Sequence, residues 1–416
     1  MISAQNTDII PENWYNVVPD LPEPLSPPRD NDMHKSSIEL LNRILPKKVI
    51  EQEFTFRKYE KIPDEVMELY EQIGRPTPLV RARNLEKYLN YRGKIFYKFE
   101  GATVTGSHKI NTAIPQAYYA ANEGIREVTT ETGAGQWGTA TALASSMNGM
   151  KSKVFMVNVS YKQKPLRKTV MNLYGADVVP SPSPLTPTGR KFLSGSPDHP
   201  GSLGIAISEA VEYALENDIR YMLGSVMNSV ITHQSIIGLE TQKQLEIAGE
   251  EADVLIGCVG GGSNFGGFVF PIIRDGKERT IISSTAREVP KFSKGKYGYD
   301  YVDNAGILPS IKMYSLGSDF VPESIYAGGL RYHGASPSLS ILVKNGTVKS
   351  EEVGENQVID ALRVFANTQG IVAAPESGHA LASTINYVKS NPGEKKTLVV
   401  NVSGHGLLDM SIFNRG

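Results

Sequence analysis

The apolar positions of this chain alternate between two periods. Residues 94–99 (Lys-Ile-Phe-Tyr-Lys-Phe) form an apolar run of strand length, and residues 110–122 continue with helical spacing. The same alternation predicts a strand over 127–130, a helix over 136–147, a strand over 152–157 and a helix over 164–174. It resumes with a helix over 234–248, a strand over 254–258, a helix opening at 265–273 and a strand over 280–284. Helices over 357–368 and 378–388 and a strand over 397–402 complete it. Strand and helix in strict turn imply parallel sheets covered on both faces. Two such runs predict two α/β layers with a cleft between them, and ligands in such folds bind at the carboxyl ends of strands. The glycine-rich stretches fall at those ends.

Two segments break the alternation. Residues 1–35 carry Pro11, Pro19, Pro22, Pro24, Pro27 and Pro28, which favours extended backbone with few donors. The expectation is an arm wrapped over a surface, with a flexible tail as the alternative. Residues 180–200, rich in Pro and Ser, are too long for an ordinary connection and are expected to form a surface loop or lid. There is no internal repeat.

Length and composition narrow the class. The 416 residues suggest two or three units, since domains run at about 100–200 residues. With 40% hydrophobic and 21% charged residues, the chain can bury a real core. The formal net charge of -1, with no basic stripe, argues against a nucleic-acid partner. Cys258 is the single cysteine, so neither an internal disulfide nor a Cys-based zinc site is available. No two of the 7 histidines sit at helical ligand spacing, and no metal is expected. The N-terminus lacks the order of a secretory signal, and the longest apolar run, 265–273, is too short for a bilayer. A soluble, cytoplasmic protein is the expectation.

Five stretches carry candidate chemistry. In Gly106-Ser107-His108-Lys109-Ile110-Asn111, Lys109 opens a helix, where the dipole disfavours its ammonium form and suits it to attack an aldehyde. Taken alone, it reads better as a surface lysine opening an amphipathic helix, and His108 either contacts a phosphate or fills a turn. Gly260-Gly261-Gly262-Ser263-Asn264 follows an apolar strand and precedes a helix, an arrangement in which backbone N–H groups close around an anion. No Lys-Ser/Thr pair follows, so this is no nucleotide P-loop, and a tight turn is the alternative. Glu131-Thr132-Gly133-Ala134-Gly135-Gln136 is a second anion cradle, suited to a carboxylate, with Glu131 either a helix cap or a general acid/base lifted by burial. In Pro375-Glu376-Ser377-Gly378-His379 the pattern reads as a helix start. Ser403, at a strand end, offers a hydroxyl to a ring nitrogen or serves a turn, and Cys258 reads as a packed small hydrophobe.

In this order, these stretches resemble the pyridoxal-phosphate enzymes of fold type II, and most nearly the tryptophan synthase beta chains. The resemblance runs from about Trp14 to Asp409. Trp14-Tyr15-Asn16, Asp20-Leu21-Pro22-Glu23-Pro24, Gln136-Trp137-Gly138 and Leu330-Arg331-Tyr332-His333-Gly334 look like a divergent second branch of those chains. The fold so implied is α/β, two three-layer αβα domains of mostly parallel sheet with the active site in the cleft between them. The expected division is 1–74 with 109–227, including the arm at 1–35, against a cofactor-phosphate domain of 75–108 with 228–416.

The resemblance also implies roles. Lys109 would carry pyridoxal 5'-phosphate and shuttle the α-proton. Gly260, Gly261, Gly262, Ser263 and Asn264 would hold its phosphate beside His108, with Asn111, Glu376 and Ser403 completing the cofactor site. Thr132, Gly133, Ala134, Gly135, Gln136 and Arg331 would bind the amino-acid substrate. Glu131 would assist loss of the serine hydroxyl and addition of indole. Ser403, a neutral partner for the pyridine nitrogen, would favour β-elimination over transamination. The implied reaction joins L-serine and indole into L-tryptophan and water, in a homodimer, with room for a monovalent cation. Several departures from the commoner branch argue against coupling to an alpha chain: Trp137 in place of histidine, Arg331 in place of aspartate, Thr285-Ala286-Arg287 in place of an acidic residue, and the Gly406-Leu407-Leu408-Asp409 tail. The alternatives are a serine or threonine dehydratase, another fold-type-II β-replacement synthase, or a catalytically silent binding protein.

Overall fold

The computed structural model describes residues 7–30, 37–323 and 325–414. In chain order its strands are β1 (Asn13–Tyr15), β2 (Tyr59–Lys61), β3 (Leu79–Arg81), β4 (Lys94–Phe99), β5 (Glu127–Thr132), β6 (Lys151–Val157) and β7 (Ala176–Ser181). There follow β8 (Arg220–Tyr221), β9 (Val254–Cys258), β10 (Thr280–Ala286), β11 (Lys296–Tyr301), β12 (Ser310–Ser315), β13 (Lys349–Val353) and β14 (Thr397–Val402). A six-stranded sheet runs β13-β10-β9-β14-β4-β3, and a four-stranded sheet runs β7-β6-β5-β8. All pairings in both are parallel except that of β3 with β4. The fold is α/β with mostly parallel sheets, as the alternating pattern implies.

The central strands read as unbroken hydrophobic runs because helices cover both faces. All five residues of β9 are buried, and each large side chain hidden this way contributes about 1.5–3 kcal/mol. The helix Ile110–Asn122 is buried over almost its whole surface, with small and amide residues (Ala113, Gln116, Ala117, Ala120) letting neighbours approach closely. Gln116 spans to the chain leaving β8, donating to the Leu223 carbonyl at 3.0 Å and accepting from its N–H at 3.2 Å.

The described part of the proline-rich segment is an arm laid on the surface. Trp14 and Tyr15 are buried, β1 pairs antiparallel with β2, and Arg29 bridges Ser310 in the chain and stacks over the Tyr299 ring at 3.6 Å. His34 and residues 31–35 of the expected arm lie outside the described residues.

The expected surface loop over 180–200 is corrected. It holds the end of β7 and a helix, Pro187–Gly195. Thr186 caps that helix by accepting from the Gly189 N–H, and Pro187 at the first turn gives up no needed donor. The buried Glu209 carboxylate gathers Ser183 N–H at 2.9 Å, Ser183 Oγ at 2.7 Å and Thr186 Oγ1 at 3.0 Å, with Ser181 also donating to it. Polar residues that read as a loop are thus hydrogen-bonding groups around one buried acid. The helix expected over 234–248 runs Ile236–Ala248, and a separate helix, Asn228–Gln234, precedes it across a break at Ser235. Ser235 Oγ accepts from the Tyr15 N–H at 2.8 Å, which anchors the arm. Among the described residues no helix is long and apolar enough to cross a membrane.

Candidate active site

Lys109 is the N-cap residue of the helix Ile110–Asn122 and faces a cavity at the carboxyl ends of β5, β9 and β14. Burial lowers its pKa below the ordinary lysine value, against the pull of Glu376 and Glu131. His108 beside it is brought down to about 3 by burial and is a neutral imidazole near pH 7. Neither His108 Nδ1 nor the neighbouring Ser107 Oγ has a hydrogen-bond partner among the described residues, and both residues line the cavity.

The glycines after β9 approach neighbouring atoms too closely for a side chain to be added without displacing them. A Cβ on Gly260 would lie 2.2 Å from the Gly329 carbonyl oxygen, and one on Gly261 would lie 2.0 Å from Ser225 Oγ. Gly262, with φ +103°, caps the helix Ser263–Ile273 and presents its N-terminus to the cavity. Ser225 and Val226 press on this turn, and Val226 holds φ +74°, a conformation strained for a β-branched residue. Asn264 turns its side chain inward: its amide donates to the Cys258 carbonyl at 2.7 Å and its oxygen accepts from Asn401 at 2.7 Å. That side chain braces the strand end.

Glu131, at the end of β5, is buried and accepts from the Tyr221 hydroxyl at 2.5 Å. Burial, opposed by that bond, pushes its carboxyl up to about 7. Behind it, Trp137 Nε1 donates to Thr130 Oγ1 at 2.6 Å, and Thr130 passes its own hydrogen to the Met222 carbonyl at 2.6 Å. In the adjoining turn, Thr132 Oγ1 accepts from the N–H groups of Gly135 and Gly138, both at 3.1 Å. The Gly135 amide is therefore spent inside the turn, and Gly133, Ala134 and Gln136 are the residues that line the cavity.

Glu376 closes the far wall. Its oxygens accept from the Gly329 N–H at 2.9 Å and from Gln136 Nε2 at 3.3 Å. Ser403 Oγ lies 3.0 Å from Ser377 Oγ and 3.5 Å from Cys258 Sγ. The Cys258 thiol, raised to about 11 by burial, is neutral beside the two serine hydroxyls.

Of the residues singled out from sequence, Lys109, His108, Glu131, Thr132, Gly133, Ala134, Gln136, Gly260, Gly261, Gly262, Ser263, Asn264, Glu376 and Ser403 share this one cavity. Asn111, Gly135 and Arg331 are not in its wall. Asn111 donates to Glu100 at 2.9 Å and Gln234 at 3.1 Å and accepts from Arg75 at 2.7 Å, inside a fully buried charge cluster below the site. Arg331 points its guanidinium at the Ile325 carbonyl and at Ser160. Gly224–Val226, Gly328–Leu330 and Tyr332 also line the wall, and Tyr221 stands behind it, bonded to Glu131. Only Gly224-Ser225 and Gly328-Gly329, as turn signals, could have pointed to them from sequence.

Residues 70–404 match the family described as "Pyridoxal-phosphate dependent enzyme". The chain is 67% identical over 99% of its length to the tryptophan synthase beta chain of Picrophilus torridus, covering 98% of that protein. It is 58% identical to tryptophan synthase beta chain 1 of Sulfurisphaera tokodaii, covering 97% of each chain. It is 52% identical to tryptophan synthase beta chain 2 of Pyrococcus furiosus, over 96% of this chain and 92% of that one. The chain belongs to the tryptophan synthase beta chain family. Among solved structures, the processed threonine deaminase isoform 2 of Solanum lycopersicum superposes with a TM-score of 0.65 at 16% identity, covering 95% of this chain and 98% of that one, a likeness of fold alone.

The family's cofactor is pyridoxal phosphate, and the cavity fits it. The glycine turn leaves no room for side chains where an anion would meet backbone N–H groups. Ser107 Oγ and His108 Nδ1 are buried polar atoms wanting a partner. Among the described residues Lys109 is the one lysine in the wall, with an amine shifted toward its neutral, nucleophilic form.

Proposed function

We propose that this chain condenses L-serine with indole to give L-tryptophan and water. The observation that carries the reading is the pairing, in one cavity, of the Lys109 amine with a Glu131 carboxyl poised near 7. When bound, pyridoxal phosphate supplies an electron sink conjugated to the amino acid's α-carbon. Lys109 would hold it covalently through its amine, the glycine turn 260–262 would bind its phosphate, and Ser403 would offer its ring nitrogen a neutral hydroxyl.

The chain's own groups then move the protons. The amides around Gly133 and Ala134 orient the substrate carboxylate. Lys109, released when the substrate's amine takes its place, takes the α-proton. Glu131, protonated, gives its proton to the departing hydroxyl, which leaves as water. The resulting carboxylate accepts the proton released when the indole carbon adds to the β-carbon, and Lys109 returns the α-proton. A carboxyl near 7 serves both directions of transfer, since both of its forms are populated at neutral pH.

The surroundings suit an apolar nucleophile. Trp137, Leu203, Ile207, Leu223 and Val302 line the cavity beside Glu131. A second, largely apolar cavity shares Leu223, Val226 and Val302 with it and reaches under the arm at Leu25 and Pro28.

A homodimer, a cytoplasmic location and the division into 1–74 with 109–227 and 75–108 with 228–416 belong to the same proposal. The four-stranded sheet lies wholly within 127–221, and the six-stranded sheet within 79–99 and 254–402, which supports that division.

The test is to incubate purified protein with pyridoxal phosphate and serine, with and without indole. Tryptophan only in the tube with indole is the expected result. Pyruvate in both tubes and no tryptophan would replace the reading with a dehydratase. Sedimentation of the same sample as a monomer would remove the homodimer.

A further inference from the structure

Lys291 takes no part in the steps above, yet it stands directly behind the glycine turn. Its side chain is completely buried, and its amine donates to the Gly260 carbonyl at 2.8 Å and the Gly334 carbonyl at 3.1 Å. Its ammonium also lies 6.0 Å from the Tyr332 ring centroid. Among the described residues no carboxylate pairs with it. Burial alone brings Lys291 to about 7, and the two carbonyl oxygens and the ring face work against that, since all three favour the charged donor.

The two carbonyls belong to different segments of the chain. Gly260 opens the turn that would meet the cofactor phosphate, and Gly334 belongs to the segment after Gly328–Leu330. The next peptide is tied the same way, with Ser336 N–H donating to the Gly261 carbonyl at 2.8 Å. In a trans peptide the C=O and the following N–H point in opposite directions. Holding the Gly260 carbonyl on Lys291 therefore aims the Gly261 N–H the other way, toward the cavity, and the Ser336 bond does the same for the Gly262 N–H. Converging carbonyl oxygens around a single positive charge are also the donor set that monovalent cations take.

We propose that Lys291 is a built-in monovalent cation, a positioning residue whose ammonium fills a carbonyl-lined site, fixes the N–H groups of the phosphate cradle, and frees cofactor retention from any need for an added alkali or ammonium ion. The proposal rests on the cradle being the site of the pyridoxal phosphate.

The test measures the dissociation constant of pyridoxal phosphate from its bound absorbance, at constant ionic strength, in tetramethylammonium, potassium or ammonium chloride. The parent chain is expected to bind within about twofold in all three salts. Lys291→Ala, which leaves a hole between the carbonyls, is expected to bind about tenfold or more weakly in tetramethylammonium and to recover in potassium or ammonium. Lys291→Met, which fills the hole without charge, is expected to weaken binding in every salt. A parent chain that needs potassium or ammonium to keep its cofactor overturns the proposal, and this arm stands even if both variants fail to fold. So does a folded Lys291→Ala that binds as the parent does, or whose loss no cation repairs. A parent chain that binds no pyridoxal phosphate in any salt would instead overturn the cofactor reading itself.

Discussion

The Tyr221 hydroxyl donates to the Glu131 carboxyl at 2.5 Å, at the junction of β8 and β5. This bond stabilises the carboxylate form, while burial opposes it and leaves the group near 7. Tyr221→Phe removes the donor and keeps the ring, so the Glu131 carboxyl should titrate at higher pH than in the parent. The pH profile of tryptophan formation reads this directly, and its basic limb should move upward. An unmoved profile with unchanged turnover would show that Glu131 is not the group that titrates.

Glu131 also ties stability to pH. Its folded value, about 7, lies above the ordinary 4.5. The stability this contributes is fully present below about pH 4.5 and is lost as the pH rises through about 7. Glu131→Gln carries no charge to bury, so it should be more stable than the parent at pH 8, by up to about 3 kcal/mol, and equal to it near pH 4. Urea titrations at the two pH values measure the difference. The same variant should keep its cofactor and lose about a hundredfold or more in turnover.

Among the described residues Lys109 is the only lysine in the cavity wall, and its amine is held below the usual lysine range. Borohydride treatment of the cofactor-loaded protein should therefore add a reduced phosphopyridoxyl group to one peptide, the one containing Lys109. Lys109→Ala should take up no label and form no tryptophan. A label at any other lysine, found by mass spectrometry of the digest, would displace Lys109 from its role.

The phosphate cradle depends on missing side chains. A Cβ on Gly260 would meet the Gly329 carbonyl oxygen at 2.2 Å, and backbone cannot step aside as a flexible side chain can. Gly260→Ala should weaken pyridoxal phosphate binding at least about tenfold. Gly298→Ala, where nothing lies within 4 Å of the added carbon, should bind as the parent does. Equal binding by both variants, read from the bound cofactor's absorbance, would detach the turn from the cofactor.

Much of this site could be read from the chain because its chemistry is local. The helix starting after Lys109, the apolar strand before Gly260 and the small-residue turn after Glu131 each carry their own signal within ten residues. What stayed hidden depends on contacts between distant segments. Tyr221 looks like any strand tyrosine until it meets Glu131, 90 positions away. Asn111 sits in the most distinctive motif, yet its side chain is claimed by Arg75 and Glu100 beneath the site. Arg331 matches a family position but spends its guanidinium on Ile325 and Ser160. The helix at Pro187–Gly195 stayed hidden because the polar residues leading into it, Ser181, Ser183 and Thr186, serve the buried Glu209, which no local pattern reveals.

The tail after Ser403 returns to the site through Asp409. Its buried carboxylate binds Lys164 Nζ at 2.8 Å and Arg167 Nη2 at 2.8 Å, and Lys164 also donates to the Tyr326 carbonyl at 3.0 Å. Arg167 in turn packs its stem under Gly135, where an added Cβ would lie 2.8 Å from it. Burial alone would raise Asp409, but Lys164 and Arg167 outweigh it and hold its pKa below the usual carboxylate value. The stability so gained is present above about pH 4 and is lost as the pH falls below it. Asp409→Asn keeps the shape and leaves two buried cations without a counter-charge, a loss of about 3–5 kcal/mol at pH 7. Because the clamp sits under the carboxylate cradle, the variant should also need more serine for half-maximal rate. Denaturation at pH 7 and pH 3 should show the gap to the parent shrinking at the lower pH. A gap that stays constant between the two would mean that the loss comes from packing and not from the ion pairs.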